Sequence, residues 1–227
     1  MEDLQVQLKS GEIDPKLPAR LQISMFNSYC SGEYLYALCH WLKNQGLTSV
    51  EFQVADTLQK HNISWRNKCS TDQALSDAYK TGNDWFSVNA ASFKYCYENF
   101  SFFCISRWED WMKHTGFSEA KESLQKLLET DNGFRDAINQ EIELYFEKTG
   151  RSLSKERRKI SQNFLIEEMA VSEISARYWP ANEIYPGPRF IPEIYLEESK
   201  IGKNFFLTNA SFIHVDYVSK QRKEVEV

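Results

Sequence analysis

The sequence predicts an α/β chain: a single Rossmann-like domain with a mainly parallel sheet flanked by helices. Three observations carry this. Leu21-Gln22-Ile23-Ser24 reads as a short strand running into a turn. Residues 31–44 repeat Leu35, Leu38, Trp41 and Leu42 at helical spacing, and residues 48–55 (TSVEFQVA) alternate apolar and polar side chains. Strand, helix and strand within about 35 residues make a βαβ unit, whose crossover sets the two strands parallel. Residues 101–106 (SFFCIS) then form a continuous apolar run, as a strand covered on both faces requires.

In chain order, residues 1–19 are polar, contain Pro15 and Pro18, and read as an N-terminal arm ahead of one domain over 20–227. Ser31 stands at the N-cap position of the first helix and Gly46 ends it. Residues 56–100 read as helical segments broken near Gly82. Further helices are expected over 107–114, 118–129 and 133–149, punctuated by Gly116, Gly133 and Gly150. A long helix starts near Ser154 and runs to 177. Pro180, Pro186, Pro188 and Pro192 interrupt the segment beyond it, and residues 208–218 alternate as a late strand. No internal repeat or low-complexity tract marks a domain boundary.

Composition narrows the function classes. A chain of 227 residues with 42% hydrophobic and 14% aromatic residues can build a core, which excludes disorder as its main state. A mean hydropathy of −0.54, with no long apolar run, excludes a membrane span. The start MEDLQVQLKSGEIDPK lacks an apolar stretch of the secretory kind, so a cytoplasmic protein is expected. A net charge of −5 argues against non-specific coating of nucleic acid but leaves room for a local basic patch. The five cysteines form no C-x-x-C and the four histidines no H-E-x-x-H, so reduced, mostly buried thiols and no metal site are expected.

In a parallel sheet the reactive crevice lies beyond the carboxyl ends of the strands. The loop there, Ser24-Met25-Phe26-Asn27-Ser28-Tyr29-Cys30-Ser31-Gly32, is not a G-x-G-x-x-G fingerprint. The chain also lacks a P-loop and a G-x-S-x-G elbow. What remains is a serine at a strand end with Asn27 and Tyr29 close behind. It can act as a nucleophile where a neighbour takes its proton, and the same residue types also make ordinary turns. Arg151, Lys155, Arg157, Arg158 and Lys159 form the densest basic cluster, fit for phosphate contact or for a solvated helix face. Glu167 and Glu168 stand side by side in an apolar helix and point apart. Glu168 shares a face with Phe164, four residues earlier. A glutamate facing a pocket can hold an ammonium; an exposed one has no special role. Finally, Tyr185-Pro186-Gly187-Pro188 makes an abrupt turn that aims a tyrosine, whose hydroxyl both donates and accepts. A buried tyrosine in a proline turn reads the same way.

Taken in order, Ile23-Ser24-Met25-Phe26-Asn27, Val54-Ala55-Asp56-Thr57-Leu58-Gln59, Phe164-Leu165-Ile166-Glu167-Glu168 and Tyr185-Pro186-Gly187-Pro188 resemble a cyclodipeptide synthase over residues 20–190. The resemblance implies a fold similar to the catalytic domain of class I aminoacyl-tRNA synthetases. It implies no ATP and no other cofactor, in keeping with the lack of HIGH and KMSKS motifs. It implies an enzyme that joins two aminoacyl groups, each brought by a tRNA, into a diketopiperazine. By position Ser24 matches the nucleophile, Glu168 the glutamate that holds the first amino group, and Tyr185 the tyrosine beside the serine. A monomer is the family's expected state.

Tyr185-Pro186 and the VADTLQ segment resemble the Tyr-Pro group of the family, whereas Asn27 is a feature of its Tyr-His group. Three departures matter. Phe164 stands where the family has a tyrosine, so either Tyr29 or Tyr178 supplies the hydroxyl or the role is dispensable. Gln22 stands where a small residue is usual; facing the pocket, it narrows it and adds an amide. The segment 66–94 is nearly balanced in charge, with Arg66, Lys68, Lys80 and Lys94 against Asp72, Asp77 and Asp84, so the 151–159 cluster is the expected tRNA contact. Two other readings stay open: a protein that binds or deacylates charged tRNA on the same fold, and a small-molecule enzyme or serine hydrolase acting without tRNA.

Overall fold

The computed structural model describes residues 4–219; the last eight residues of the expected 20–227 domain lie outside them. The chain begins with β1 (Leu4–Ser10) and β2 (Ala19–Ile23), then α1 (Gly32–Asn44) and β3 (Ser49–Val54). Three helices come next, α2 (Lys60–Asn67), α3 (Thr71–Val88) and α4 (Ala90–Asn99), leading into β4 (Phe102–Arg107). Then come α5 (Trp108–Met112), α6 (Phe117–Thr130), α7 (Asn132–Thr149) and the long α8 (Lys155–Tyr178). The chain closes with β5 (Asn182–Tyr185), α9 (Ile191–Glu198) and β6 (Ser211–Ser219).

The six strands form one sheet in the order β1-β6-β5-β2-β3-β4, parallel except for the antiparallel pair β1/β6. The chain fills the sheet outward from β2 to β4, then returns through α5–α8 to lay β5 on the other side of β2. The strand order therefore reverses between β2 and β5, and a ligand crevice opens where such a reversal occurs.

The expected βαβ unit is β2-α1-β3, with Leu21 beside Phe52 and Ile23 beside Val54. Leu35, Leu38 and Leu42 of α1 pack with Leu21, Ile23, Val50 and Phe52 in one core, against one face of the sheet. A second core joins Leu124, Phe134, Ile138, Ile166, Met169 and Ile174 of the α6–α8 layer. Ser31 holds the N-cap position of α1, yet its side chain does not cap. Asn89, between α3 and α4, accepts from Gly32 N at 2.8 Å instead. Ser154 caps α8, accepting from Arg157 N at 3.2 Å.

Several features depart from the sequence reading, among them Gly82, expected to break a helix but lying inside the continuous α3. Within the polar arm expected over 1–19, Leu4–Ser10 is a strand of the sheet, pairing with β6 from Leu4↔Ser219 onward, and Ala19 already belongs to β2. β1 is a largely exposed edge strand whose Leu4, Val6 and Leu8 alternate with Gln5, Gln7 and Lys9, a period of two set within a polar segment that also holds Pro15 and Pro18. β5 has only four residues between Pro180 and Pro186, too few to show a period. Pro192 starts a helix rather than interrupting one, since the first turn of α9 has no use for its missing N–H.

The alternation in β3 would ordinarily mean one wet face, but β3 is buried on both. Glu51 and Gln53 face an internal charge network centred on Arg20, which is fully buried. Arg20 sits beside Glu51 on β3 and Glu183 on β5 in the sheet register. Its Nε donates to Glu51 at 2.9 Å, one terminal nitrogen to Glu183 at 2.6 Å and the other to the Trp179 carbonyl at 2.7 Å. Trp111 covers the guanidinium at 5.3 Å, and Ser106 of β4 donates to Glu51 at 2.5 Å. Burial works against the charge, but Glu183 and Glu51 outweigh it and raise the Arg20 pKa. A second pair, Asp56 with Arg107, ties the ends of β3 and β4. α3 can approach that pair because residue 82 is glycine: a Cβ there would lie 2.5 Å from Asp56.

Replacing Arg20 by methionine strands two buried carboxylates, so Arg20→Met is expected to destabilise the chain by about 3–5 kcal/mol. Urea unfolding measures this, and a loss under about 1 kcal/mol would show that the network is not structural.

Candidate active site

Ser24 is the first residue beyond β2. Its loop is held at three points: Ala55 N donates to Ile23 O at 3.0 Å, Asn27 N to Ser24 O at 3.2 Å, and Cys30 N to Asn27 O at 2.9 Å. The second bond closes a tight turn and the third a single 3-10 turn over Ser28–Cys30. Asn27 uses both ends of its amide. Its oxygen accepts from Tyr29 N at 3.1 Å, and its nitrogen donates to the Tyr185 hydroxyl at 3.2 Å.

Tyr185 ends β5, the strand next to β2, so the sheet itself brings it to Ser24. The Pro186-Gly187 turn lies against its ring, where a Cβ at Gly187 would come within 2.9 Å. Burial pushes the phenol up to about 12; Asn27, which donates to its oxygen, and the neighbouring Ser24 side chain pull the other way. The phenol thus keeps its proton at neutral pH and can pass it along a hydrogen bond. Gln22, Gln53, Trp108, Glu168, Ser172 and Phe190 complete the pocket around Ser24 and Tyr185, a narrow space of about 380 Å³ that includes its open mouth. No histidine lines it, so a Ser-His-Asp triad is not assembled there.

The neighbouring glutamates of α8 have opposite fates, since successive helical residues point about 100° apart. Glu167 turns to two lysines and a histidine: Lys60, Lys121 at 3.4 Å and His61 at 3.1 Å. Burial raises its pKa, but His61 and Lys60 overcome that and hold it at about 2. Glu168 turns to the pocket, where its Oε2 is buried with no hydrogen-bond partner. Burial, then Glu193 and Glu141, push it up to about 8. Glu193 is itself raised to about 7, by burial first and against the pull of Arg189. Glu141 accepts from Ile191 N at 2.9 Å. An ammonium entering beside Glu168 supplies the missing partner, lowers its pKa and relieves the repulsion among the carboxylates.

Of the residues singled out in the sequence, Ser24, Tyr185, Glu168, Gln22 and Asn27 meet at this one place. Gln22 faces the pocket and donates to Glu183 at 3.2 Å. Phe164 does not line the pocket; it packs against the helical core, with its ring 6.4 Å from His61. Tyr29 lies outside, exposed and stacked on Tyr217 at 5.4 Å. Tyr178 stands at the C-terminal end of α8, ten residues and about 15 Å past Glu168. Neither tyrosine replaces the hydroxyl missing at Phe164.

The basic cluster divides. Arg157 lies over the Trp65 ring at 3.7 Å and donates to Ser152 O at 2.6 Å, and Arg158 pairs with Glu143 at 2.9 Å. Arg151, Lys155 and Lys159 are exposed. On α2, Arg66 lies 5.5 Å from the ring of Phe26, an exposed residue two places after Ser24. Arg66 thus places one exposed positive charge beside the loop that carries Ser24. Sequence reasoning missed Gln53, Trp108, Phe190 and Glu193. The rule that sites lie beyond strand ends points to Trp108, which comes directly after β4. The others carry no local signal.

No protein-family model matches the chain, and no curated protein does. Solved structures do, at the level of the fold. One is a CDPS from Fluoribacter dumoffii, with a TM-score of 0.83 and 20% identity over 95% of this chain and 100% of that one. A Bacillus thermoamylovorans cyclodipeptide synthase gives 0.71 and 15% identity over 96% and 98%. A cyclodipeptide synthase from Candidatus Glomeribacter gigasporarum, bound to Phe-tRNAPhe, gives 0.68 and 16% identity over 93% and 92%. A Mycobacterium tuberculosis protein of the same fold, with a TM-score of 0.69, is described as relating such enzymes to type I tRNA synthetases. The α/β fold expected from the sequence is thus the observed one.

The two glutamates predict opposite pH effects. Folded Glu168 keeps a proton that the unfolded chain releases near its ordinary 4.5, so stability falls as pH rises from there to about 8. The contribution of Glu167 is present above 4.5 and is lost as pH falls toward about 2. Glu168→Gln is therefore expected to match the wild-type melting temperature near pH 4 and exceed it at pH 8. Parallel melting curves across that range would show that Glu168 is not a desolvated acid.

Proposed function

We propose that the chain is a tRNA-dependent cyclodipeptide synthase that works through an aminoacyl group carried on Ser24. The observation that carries this reading is the meeting of a strand-end serine, a tyrosine hydroxyl and an unpartnered buried glutamate in one narrow pocket. The fold of solved cyclodipeptide synthases supports it, and the neighbour bound to Phe-tRNAPhe supports a charged tRNA as substrate.

The first aminoacyl-tRNA places its ammonium at Glu168 and its ester carbonyl at Ser24. The Ser24 oxygen bonds to the carbonyl carbon and the ester bond to the ribose oxygen breaks. The serine proton passes to the leaving ribose oxygen, with Tyr185 as the adjacent relay. The amine of a second aminoacyl-tRNA then attacks the acyl-enzyme, forming the first peptide bond and returning Ser24 to its hydroxyl. The free amine of the dipeptidyl-tRNA attacks its own ester, closing the diketopiperazine and releasing the second tRNA. An aminoacyl ester is already activated, so orientation and proton transfer suffice. Arg151, Lys155 and Lys159 hold tRNA phosphate along the outer side of α8, with Arg66 nearer the pocket. Arg157 and Arg158 serve mainly to anchor the helix. The Tyr185-Pro186 turn favours the Tyr-Pro group, and Asn27 acts by fixing the Tyr185 hydroxyl. The reading carries with it a monomer in the cytoplasm, where charged tRNA is found.

Incubation with radiolabelled aminoacyl-tRNA tests this. The wild type is expected to release diketopiperazine, Ser24→Ala none, and Glu168→Gln at least about a hundredfold less. The double variant Lys155→Glu/Lys159→Glu is expected to keep its fold while losing about tenfold in tRNA affinity near 0.1 M salt. Release of free amino acid as the sole product would mean a deacylating protein, and product from Ser24→Ala would exclude the covalent route.

A further inference from the structure

Four buried side-chain atoms among the described residues have no hydrogen-bond partner, and three of them belong to residues that line the Ser24 pocket. One is Glu168 Oε2, an acceptor suited to the substrate ammonium. The other two, Gln53 Nε2 and Trp108 Nε1, are donors on residues only 2% and 3% exposed. Buried donors without partners are rare in folded proteins. Two on residues that line one pocket point to a ligand that brings acceptors.

Their position says which part of the ligand. Tyr185 stands on the β5 side of β2, whereas Gln53 is on β3 and Trp108 comes just after β4. An ester at Ser24 and an ammonium at Glu168 leave the side of the pocket toward β3 and β4, where Gln53 and Trp108 stand, for the side chain of the first aminoacyl group. An apolar side chain there leaves both donors unpaired. A carboxylate brings an uncompensated charge into a pocket whose lining, among the described residues, holds no lysine or arginine. Lysine and arginine side chains bring donors only. Gln22 and Phe190 narrow the space, which disfavours a large ring.

We infer that the Ser24 pocket selects a first aminoacyl group whose side chain is small, uncharged and carries a hydrogen-bond acceptor, a carboxamide or an aliphatic hydroxyl, read by Gln53 Nε2 and Trp108 Nε1. This rests on the synthase reading and names its substrate class. A site built to donate hydrogen bonds rejects ligands lacking the acceptor far more strongly than an apolar pocket rejects a missing methylene.

The test is mass spectrometry of the medium from a bacterial host expressing the chain. The main diketopiperazine is expected to contain Asn, Gln, Ser or Thr. Gln53→Leu and Trp108→Phe are each expected to lower the ratio of such products to wholly apolar ones by at least about tenfold. A wild-type product made only of apolar residues overturns the inference and leaves the synthase reading standing. So does an unchanged ratio in both variants, which would mean that solvent serves the two donors. No diketopiperazine at all removes the synthase reading and the inference together. Thermal unfolding of purified Gln53→Leu gives an independent check. An unpartnered donor can be removed without loss, so the melting temperature is expected to hold or rise. A fall of more than about 5 °C would assign the amide to the fold instead.

Discussion

The arrangement of the molecule depends on one buried cation. Arg20 lies at the centre of the sheet and bonds at once to β3 through Glu51, to β5 through Glu183, and to the chain entering β5 through Trp179 O. Buried ion pairs are weak sources of stability, because desolvation offsets the attraction. Their effect on register is stronger. A slip of one residue turns every side chain to the opposite face. Here it would leave Glu51 and Glu183 buried without a cation. Fixing β2 against β5 also fixes the site, since Ser24 lies four residues beyond Arg20 and Tyr185 two beyond Glu183. Glu183 accepts from Gln22 as well, so the same network reaches into the pocket.

A similar division of labour runs along α8. Glu167 is bound to cations from α2 and α6, which sets the rotation of the helix about its axis. That rotation aims Glu168 into the pocket. One glutamate is satisfied and ionised so that its neighbour can be unsatisfied and ready for a ligand. The acidic total of the chain is compatible with a tRNA substrate on the same logic. Glu168, Glu193 and Glu141 gather inside the fold, while Arg151, Lys155, Lys159 and Arg66 stay exposed.

Much of this was legible in the sequence because it is encoded locally. The β2-α1-β3 unit rests on short periodic segments, and Ser24, Asn27, Glu168 and Tyr185 rest on order along the chain. Gln22 was legible as a departure from the usual small residue. What stayed hidden depends on partners. β5 is a strand because of what it pairs with, since four residues show no pattern, while the alternation of β1 lies inside a polar, proline-bearing segment that reads as an arm. Arg157 and Arg158 look like free positive charge in a sequence, yet Trp65 and Glu143 already engage them. Phe164 shares a helical face with Glu168, but one turn away that face meets core instead of pocket. Gln53 and Glu193 come to the site from distant segments, and nothing near them in the chain marks it.

The central claim is that Ser24 carries the substrate as an ester. The most direct measurement is mass analysis of the peptide containing Ser24, taken after the protein is mixed with one aminoacyl-tRNA and quenched in acid. The account predicts a mass gain of one aminoacyl group on that peptide, confined to Ser24 on fragmentation and discharged when a second charged tRNA is added. An unmodified peptide in a reaction that still yields diketopiperazine would contradict it.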